Sequence, residues 1–276
     1  MIGTELVKML RRPRTWVSLA LLCGLPAVVA VFLGVTEVAP APGQGPAFLS
    51  AVLSNGMLYP AAALAMVLPL FLPVSVAVVG GDAIAGEAGS GMLRYLLVRP
   101  VGRTRLLVAK LVALVAYVLL AVVAVALTSY GIGVAVFGNE PATSLAGADL
   151  VTSVSGTGLS TRQVVVRIAL AVLYIGWSML GVGAIALFLS TVTDSPLGAA
   201  LGALAALVTS QVLVTVDAAA SVHPYLVTRY WLSWIDFFRD PILWHDVQRG
   251  VALQAVYVGL LLAAAWANFA TRDVTT

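Results

Sequence analysis

The sequence predicts an all-α integral membrane protein with six spanning helices. Three observations carry that prediction. The chain is 61% hydrophobic and 10% charged, with a mean hydropathy of +1.03, whereas a soluble domain carries roughly 25% charged residues. Two long stretches, Val38 to Gly81 and Leu111 to Asn139, contain no Asp, Glu, Lys or Arg. The basic residues gather at the ends of the apolar runs, as expected of side chains that fix topology.

Taken in order, residues 1–13 read as a surface helix. Ile2, Leu6, Met9 and Leu10 share one face, Glu5, Lys8, Arg11 and Arg12 occupy the rest, and Pro13 ends it. Such a helix lies in the membrane interface; an ordinary charged flank of the first span is the plainer reading. Spans are then expected at about 16–35, 58–79, 111–137, 168–189, 197–216 and 250–270, each near the roughly 20 residues that cross the hydrocarbon. Pro60, Pro69 and Pro73 predict kinks in the second. The Pro- and Gly-containing stretch 37–55 and the Ser/Thr/Gly-rich stretch 139–163 read as outer loops. Between the fourth and fifth spans, Ser190 to Pro196 is a tight polar turn, with a helix start at Asp194 or Ser195 ahead of Pro196. Residues 217–249 form a third outer segment, dense in Tyr225, Tyr230, Trp231, Trp234, Phe237, Phe238 and Trp244. It reads either as an aromatic belt at the interface or as a gate built on Tyr230, Trp231, Trp234, Phe237 and Phe238. Two short helices broken at Pro241 fit it.

Residues 81–110 stand apart. Five basic residues (Arg94, Arg99, Arg103, Arg105, Lys110) and two acids (Asp82, Glu87) sit between two membrane-length apolar runs. A polar island so placed lies at a bilayer surface, and its basic excess puts it on the cytoplasmic side. With the N-terminus inside, ten basic residues fall on inner segments and five on outer ones, so both termini are expected in the cytoplasm. The island is expected to meet a soluble partner there; the bland alternative is that its basic residues only set topology.

Several chemistries are excluded. A phosphate-cradling loop needs GxxxxGK[ST], but Lys8 and Lys110 follow Val7 and Ala109. His223 and His245 are isolated, Cys23 is the single cysteine, and no CxxC or HExxH exists, so no metal site and no intrachain disulfide are expected. The expected spans carry almost no charge, which argues against ion-coupled carriers and membrane-embedded enzymes. The net charge of +3 is spread over span ends and forms no nucleic-acid patch. Small residues such as Gly198 and Gly202, and Gly176 to Gly183, suit close helix packing.

With these features in place, the chain resembles the membrane subunit of type-two ATP-binding-cassette exporters over nearly its whole length. The most specific part is Asp82, Glu87, Gly91, the apolar run from Leu93 (with Arg94 inside it), Arg99-Pro100, Arg103 and Lys110. The resemblance implies that 81–110 is a cytoplasmic coupling helix docking on a separate ATPase, with Thr193, Asp194 and Ser195 as a second contact. It implies two copies of that ATPase carrying ATP and magnesium, no cofactor in this chain, and a second permease chain, identical or homologous. The expected setting is a bacterial inner membrane. The uncharged, aromatic-bearing spans, with Met66, Phe71, Tyr117, Tyr174, Trp177 and Met179 as possible lining, point to an amphipathic or hydrophobic substrate: a drug, a lipid-like molecule or a peptide. A non-transporting scaffold or sensory subunit on the same fold is the alternative.

Overall fold

The computed structural model describes residues 1–36, 56–89, 102–138, 150–155 and 157–271. Among them, six helices are long and apolar enough to cross a membrane. Helix α1 (Ile2–Arg11) leads directly into α2 (Pro13–Thr36), with Pro13 opening the second helix. The corner is fixed from both sides: Thr15 Oγ1 donates to the Met9 carbonyl (2.7 Å) and Trp16 Nε1 to that of Leu10 (2.7 Å).

The second span is broken rather than kinked. A 3-10 turn (Gly56–Leu58) and helix α3 (Tyr59–Val67) stop short of α4 (Phe71–Gly89). The interruption follows from proline chemistry. Pro73 has no N–H to give to the Pro69 carbonyl, and Gln211 from a later helix donates to that oxygen instead, at 3.2 Å. Helix α4 also runs on to Gly89, so Asp82 and Glu87 lie within a helix and not in a surface loop. Helix α5 (Arg103–Phe137) likewise begins inside the polar island and carries Arg103, Arg105 and Lys110 on its first turns.

A two-stranded antiparallel ribbon follows, β1 (Leu150–Thr152) with β2 (Gly158–Ser160), and Leu150 faces Ser160. Ser160 then caps α6 (Thr161–Val192): its hydroxyl accepts from the Gln163 N–H while Gln163 Oε1 accepts from the Ser160 N–H. The turn into α7 (Pro196–Thr215) matches its sequence signals, with Ser195 Oγ accepting from the Gly198 N–H (3.1 Å) and Pro196 in the first turn. After α7, three 3-10 turns (Asp217–Ala219, His223–Tyr225, Trp231–Phe238) precede α8 (Trp244–Thr271).

The core lies where α4, α6, α7 and α8 pack, with α5 and α3 alongside. Glycines permit the closest approaches. A Cβ on Gly81 would stand 2.8 Å from the Ala200 amide nitrogen and 3.1 Å from the Pro196 carbonyl, so α4 and α7 meet backbone to backbone. Gly183 faces Leu114 and Val76, and Gly202 faces Leu189, so these small residues serve packing within the chain. At Gly259 on α8, a Cβ would meet nothing within 4 Å. Gly81→Val therefore lowers stability by about 1–3 kcal/mol through overpacking, while Gly259→Val leaves it unchanged; thermal unfolding of the two purified variants checks the contrast.

Candidate functional site

The first group of functional side chains forms at one end of the bundle. Helix α4 projects Asp82 and Glu87, five residues apart, from its last turns, and both are buried. A buried carboxylate must find cations or hydrogen-bond donors. Asp82 pairs with Arg12 and with Arg14, the latter at 2.6 Å. Glu87 pairs with Lys8 and with Lys110, the latter at 2.7 Å. Lys110, only 4% exposed, also reaches Glu5 at 3.1 Å. Four cations and three carboxylates thus join α1, the start of α2, the end of α4 and the start of α5.

The register of α1 explains how this arises. Glu5, Lys8, Met9 and Arg12 fall at helical spacing on one side and face α4 and α5. Val7 and Leu10 stay exposed on the other, and Ile2, in line with Met9 but in the first turn, is exposed as well. The charged side of the amphipathic helix is therefore its protein-facing side. Glu5, Lys8, Arg12 and Arg14 are site residues that sequence reasoning places only as a surface helix and its flank. Nothing in their local pattern names charged partners more than 65 residues away.

The remaining residues expected to act in coupling divide by position. Gly91, Leu93, Arg94, Arg99 and Pro100 lie outside the described residues. Arg103 folds back on α8: its guanidinium donates to the Ala270 carbonyl at 2.8 Å and to that of Phe269 at 3.3 Å, a favourable place for a cation at a helix C-terminus. Asn268 donates to the Thr191 carbonyl (2.8 Å), tying α8 to the end of α6. Thr193 accepts from the Ser195 N–H, and Asp194 and Ser195 are exposed. A Cβ on Gly89 would come within 3.0 Å of the Asp194 carbonyl, so the end of α4 abuts the α6–α7 turn. The two stretches expected to contact a partner adjoin each other.

The second group lies at the opposite end. Tyr230, Trp231, Trp234, Phe237 and Phe238 are buried, Trp234 completely. They do not form a belt at the surface. The segment containing them runs antiparallel along α8: the Tyr225 carbonyl accepts from Tyr257 Oη (2.8 Å), the Val227 carbonyl from Gln254 Nε2 (2.8 Å), and Phe237 stacks edge-on against Trp244 with centroids 5.7 Å apart. From Tyr257 to Trp244 is about 20 Å of helix, so the segment is re-entrant and reaches the middle of the bundle. Helix α6 holds its other side. Tyr174 Oη donates to the Tyr230 carbonyl (2.7 Å), and Arg167 donates to the Arg239 carbonyl (3.0 Å) and meets Asp240. The ribbon closes over this end of the segment, with Val154 N–H donating to the Phe238 carbonyl and Asp240 N–H to Ser155 Oγ. Of the side chains expected to line a path, Tyr117 is buried against Ser18 (2.8 Å) and Trp177 donates to the Val251 carbonyl (3.1 Å). Among the described residues, no cluster of His, Cys, Asp and Glu is arranged to hold a metal ion.

The sequence model for the ABC-2 family transporter proteins matches residues 1–193. The chain belongs to that family. It is thus a membrane permease subunit of an ABC transporter. The match takes in the charge cluster, the polar island and the α6–α7 turn as far as Thr193, and it ends before the re-entrant segment. No curated protein matches the chain at a significant level.

The cluster predicts a specific stability pattern. Lys110→Met leaves the buried Glu87 and the part-buried Glu5 beside fewer cations and costs about 3 kcal/mol. Lys110→Met combined with Glu87→Met recovers much of that loss, because an apolar pair of similar volume replaces a buried ion pair at little cost. A double-mutant cycle read by thermal unfolding measures the coupling.

Proposed function

We propose that the chain is the permease of an ATP-driven exporter whose separate ATPase docks on residues 81–110 and on the 193–195 turn. The observation that carries this reading is positional. The island leaves α4 at Gly89, beside the Asp194 carbonyl, and rejoins the bundle at Arg103, which rests on the end of α8. The two ends of the island and the 193–195 turn therefore lie together at one end of the bundle. Arg94, Arg99 and the exposed Arg105 supply charges suited to acids on a partner, and Leu93 supplies apolar surface. Asp82, Glu87 and Lys110 act behind that surface: they anchor the ends of α4 and α5 to α1.

This end is the cytoplasmic one. Lys8, Arg11, Arg12, Arg14, Arg103, Arg105 and Lys110 lie there among the described residues, against Arg162, Arg167, Arg229, Arg239 and Arg249 at the ribbon end, and basic excess marks the inside. Two such permease chains and two ATPase subunits, the latter carrying ATP and magnesium, complete the transporter in a bacterial inner membrane. The substrate is amphipathic or hydrophobic, since the buried charged side chains among the described residues, Asp82, Glu87, Lys110 and Arg167, all lie towards the two ends of the bundle.

Purification of the tagged chain from its native host in mild detergent tests this reading. A stoichiometric ATPase is expected to co-elute, and Arg99→Glu is expected to reduce its recovery several-fold while leaving the permease folded. A chain that elutes alone, even after crosslinking through 81–110, would favour a scaffold or sensory subunit on the same fold.

A further inference from the structure

We propose that the cavity under the α1–α2 corner binds the phosphate of one anionic phospholipid, with Arg12 and Arg14 as its donors and an acyl chain laid against α4 and α5. The proposal rests on the cytoplasmic placement of this end for the leaflet it names, the inner one, but not for the site itself.

The charge cluster does not balance. Lys8 and Lys110 face Glu87 and Glu5, two cations to two carboxylates. Arg12 and Arg14 share one carboxylate, Asp82. The positive charge left over therefore falls on the guanidinium pair. Each guanidinium has five N–H donors and gives one amino group to Asp82, so donors remain for a second anion. Asp82 is buried, whereas the Arg12 and Arg14 side chains are 30% and 50% exposed, and the second anion can reach them from outside. A phosphate suits the pair, because the guanidinium fork matches two phosphate oxygens.

The cavity has the size and the polarity gradient that such a ligand needs. Its charged part is lined by Lys8, Arg12, Arg14 and Lys110, with Glu5 and Asp82 between them. Its apolar part is lined by Val79, Ala83, Ala113 and Leu114. Val79 precedes Asp82 by three residues on α4, and Ala113 follows Lys110 by three on α5. Each therefore lies about 4.5 Å deeper in the bilayer. Val79, Ala83 and Ala113 are only part-buried, which leaves room for a chain to lie on them. The volume is about 50 Å³, enough for about four water-sized atoms. That admits one phosphate group and rejects a sugar or a nucleotide. The depth is right as well. Trp16, two residues beyond Arg14, is exposed and marks the membrane interface, so the guanidinium pair stands among headgroups. The surplus charge favours an anionic headgroup over a choline one, whose own cation would meet the arginines.

Native mass spectrometry of the purified full chain tests the site and needs no ATPase. The chain is exchanged into micelles holding phosphatidylglycerol and phosphatidylcholine in equal amounts. One phosphatidylglycerol is expected to stay bound, several-fold in preference to phosphatidylcholine. Arg14→Gln, which leaves Asp82 paired with Arg12, is expected to lower that occupancy several-fold. Ala113→Leu fills the apolar part, keeps every charge, and is expected to do the same. Arg11→Gln removes an exposed cation of the same corner that does not line the cavity, and is expected to leave occupancy unchanged. Retention of neither lipid, or of both equally, would overturn the site. Equal losses in Arg11→Gln and Arg14→Gln would reduce the effect to general surface charge and overturn it too, as would full occupancy in Ala113→Leu. Inorganic phosphate has the same anion without the chain. Phosphate adducts on a chain that retains no phosphatidylglycerol would assign the cavity to a soluble anion and overturn the lipid. Retention of the lipid by a chain that recovers no ATPase keeps the site and removes only the exporter reading.

Discussion

Asp82 and Glu87 place two negative charges inside a helical bundle, and much of one end of the molecule follows from that constraint. A carboxylate taken out of water costs several kcal/mol unless cations meet it. Here the cations come from three places: α1, the α1–α2 corner and α5. The consequence is mechanical. Helix α1 cannot float independently on the membrane, because its charged side is engaged while Ile2, Val7 and Leu10 remain free for lipid. The helices on either side of the polar island are likewise joined through Lys110 and Glu87. Displacement of the island would move α1, α4 and α5 together.

A path for that displacement is visible in the packing. Helix α4 is pressed against α6 and α7 at Gly80 and Gly81, and Ser190 Oγ on α6 accepts from the N–H groups of Ile84 and Ala85 at 2.9 and 2.8 Å. A side-chain acceptor within a helix ladder is a recognised cause of bending. At its other end α4 is broken at Pro69 and Pro73, where Gln211 bridges to α7. The same α7 carries Ser210, which touches the re-entrant segment through Thr228. Contacts therefore run continuously from the charged end through α4 and α7 to the aromatic segment.

The spanning helices are legible in the sequence because hydropathy and charge placement are local signals. The cap at Ser195 also follows from local rules, since the proline that comes next marks the helix start, whereas Ser160, read within an outer loop, caps a helix that begins seven residues before the expected fourth span. The ends of α4 and α5 are not legible. Asp82, Glu87, Arg103 and Lys110 read as loop charges because each would be costly in a helix end facing lipid, and their partners are set by tertiary contact alone. The break in the second span is half legible: its prolines predict a kink, but the donor that supports a full interruption, Gln211, lies 142 residues away. The aromatic segment misleads for a related reason. Trp and Tyr density marks an interface on average, yet Tyr174, Gly181, Gly250 and Gln254 open a slot that draws these rings inward. Those four positions carry no mark in the sequence beyond being small or polar within apolar helices.

Above all, the buried ion pairs make α1 and α5 one rigid unit bearing the polar island. Spin labels at Val7 on α1 and Val123 on α5, both exposed, in a Cys23→Ser chain measure this directly by electron–electron distance spectroscopy. A rigid unit gives a single narrow distance distribution that stays the same when the transporter cycles with ATP. A broad distribution, or a distance that changes with nucleotide, would show α1 moving independently and would contradict it.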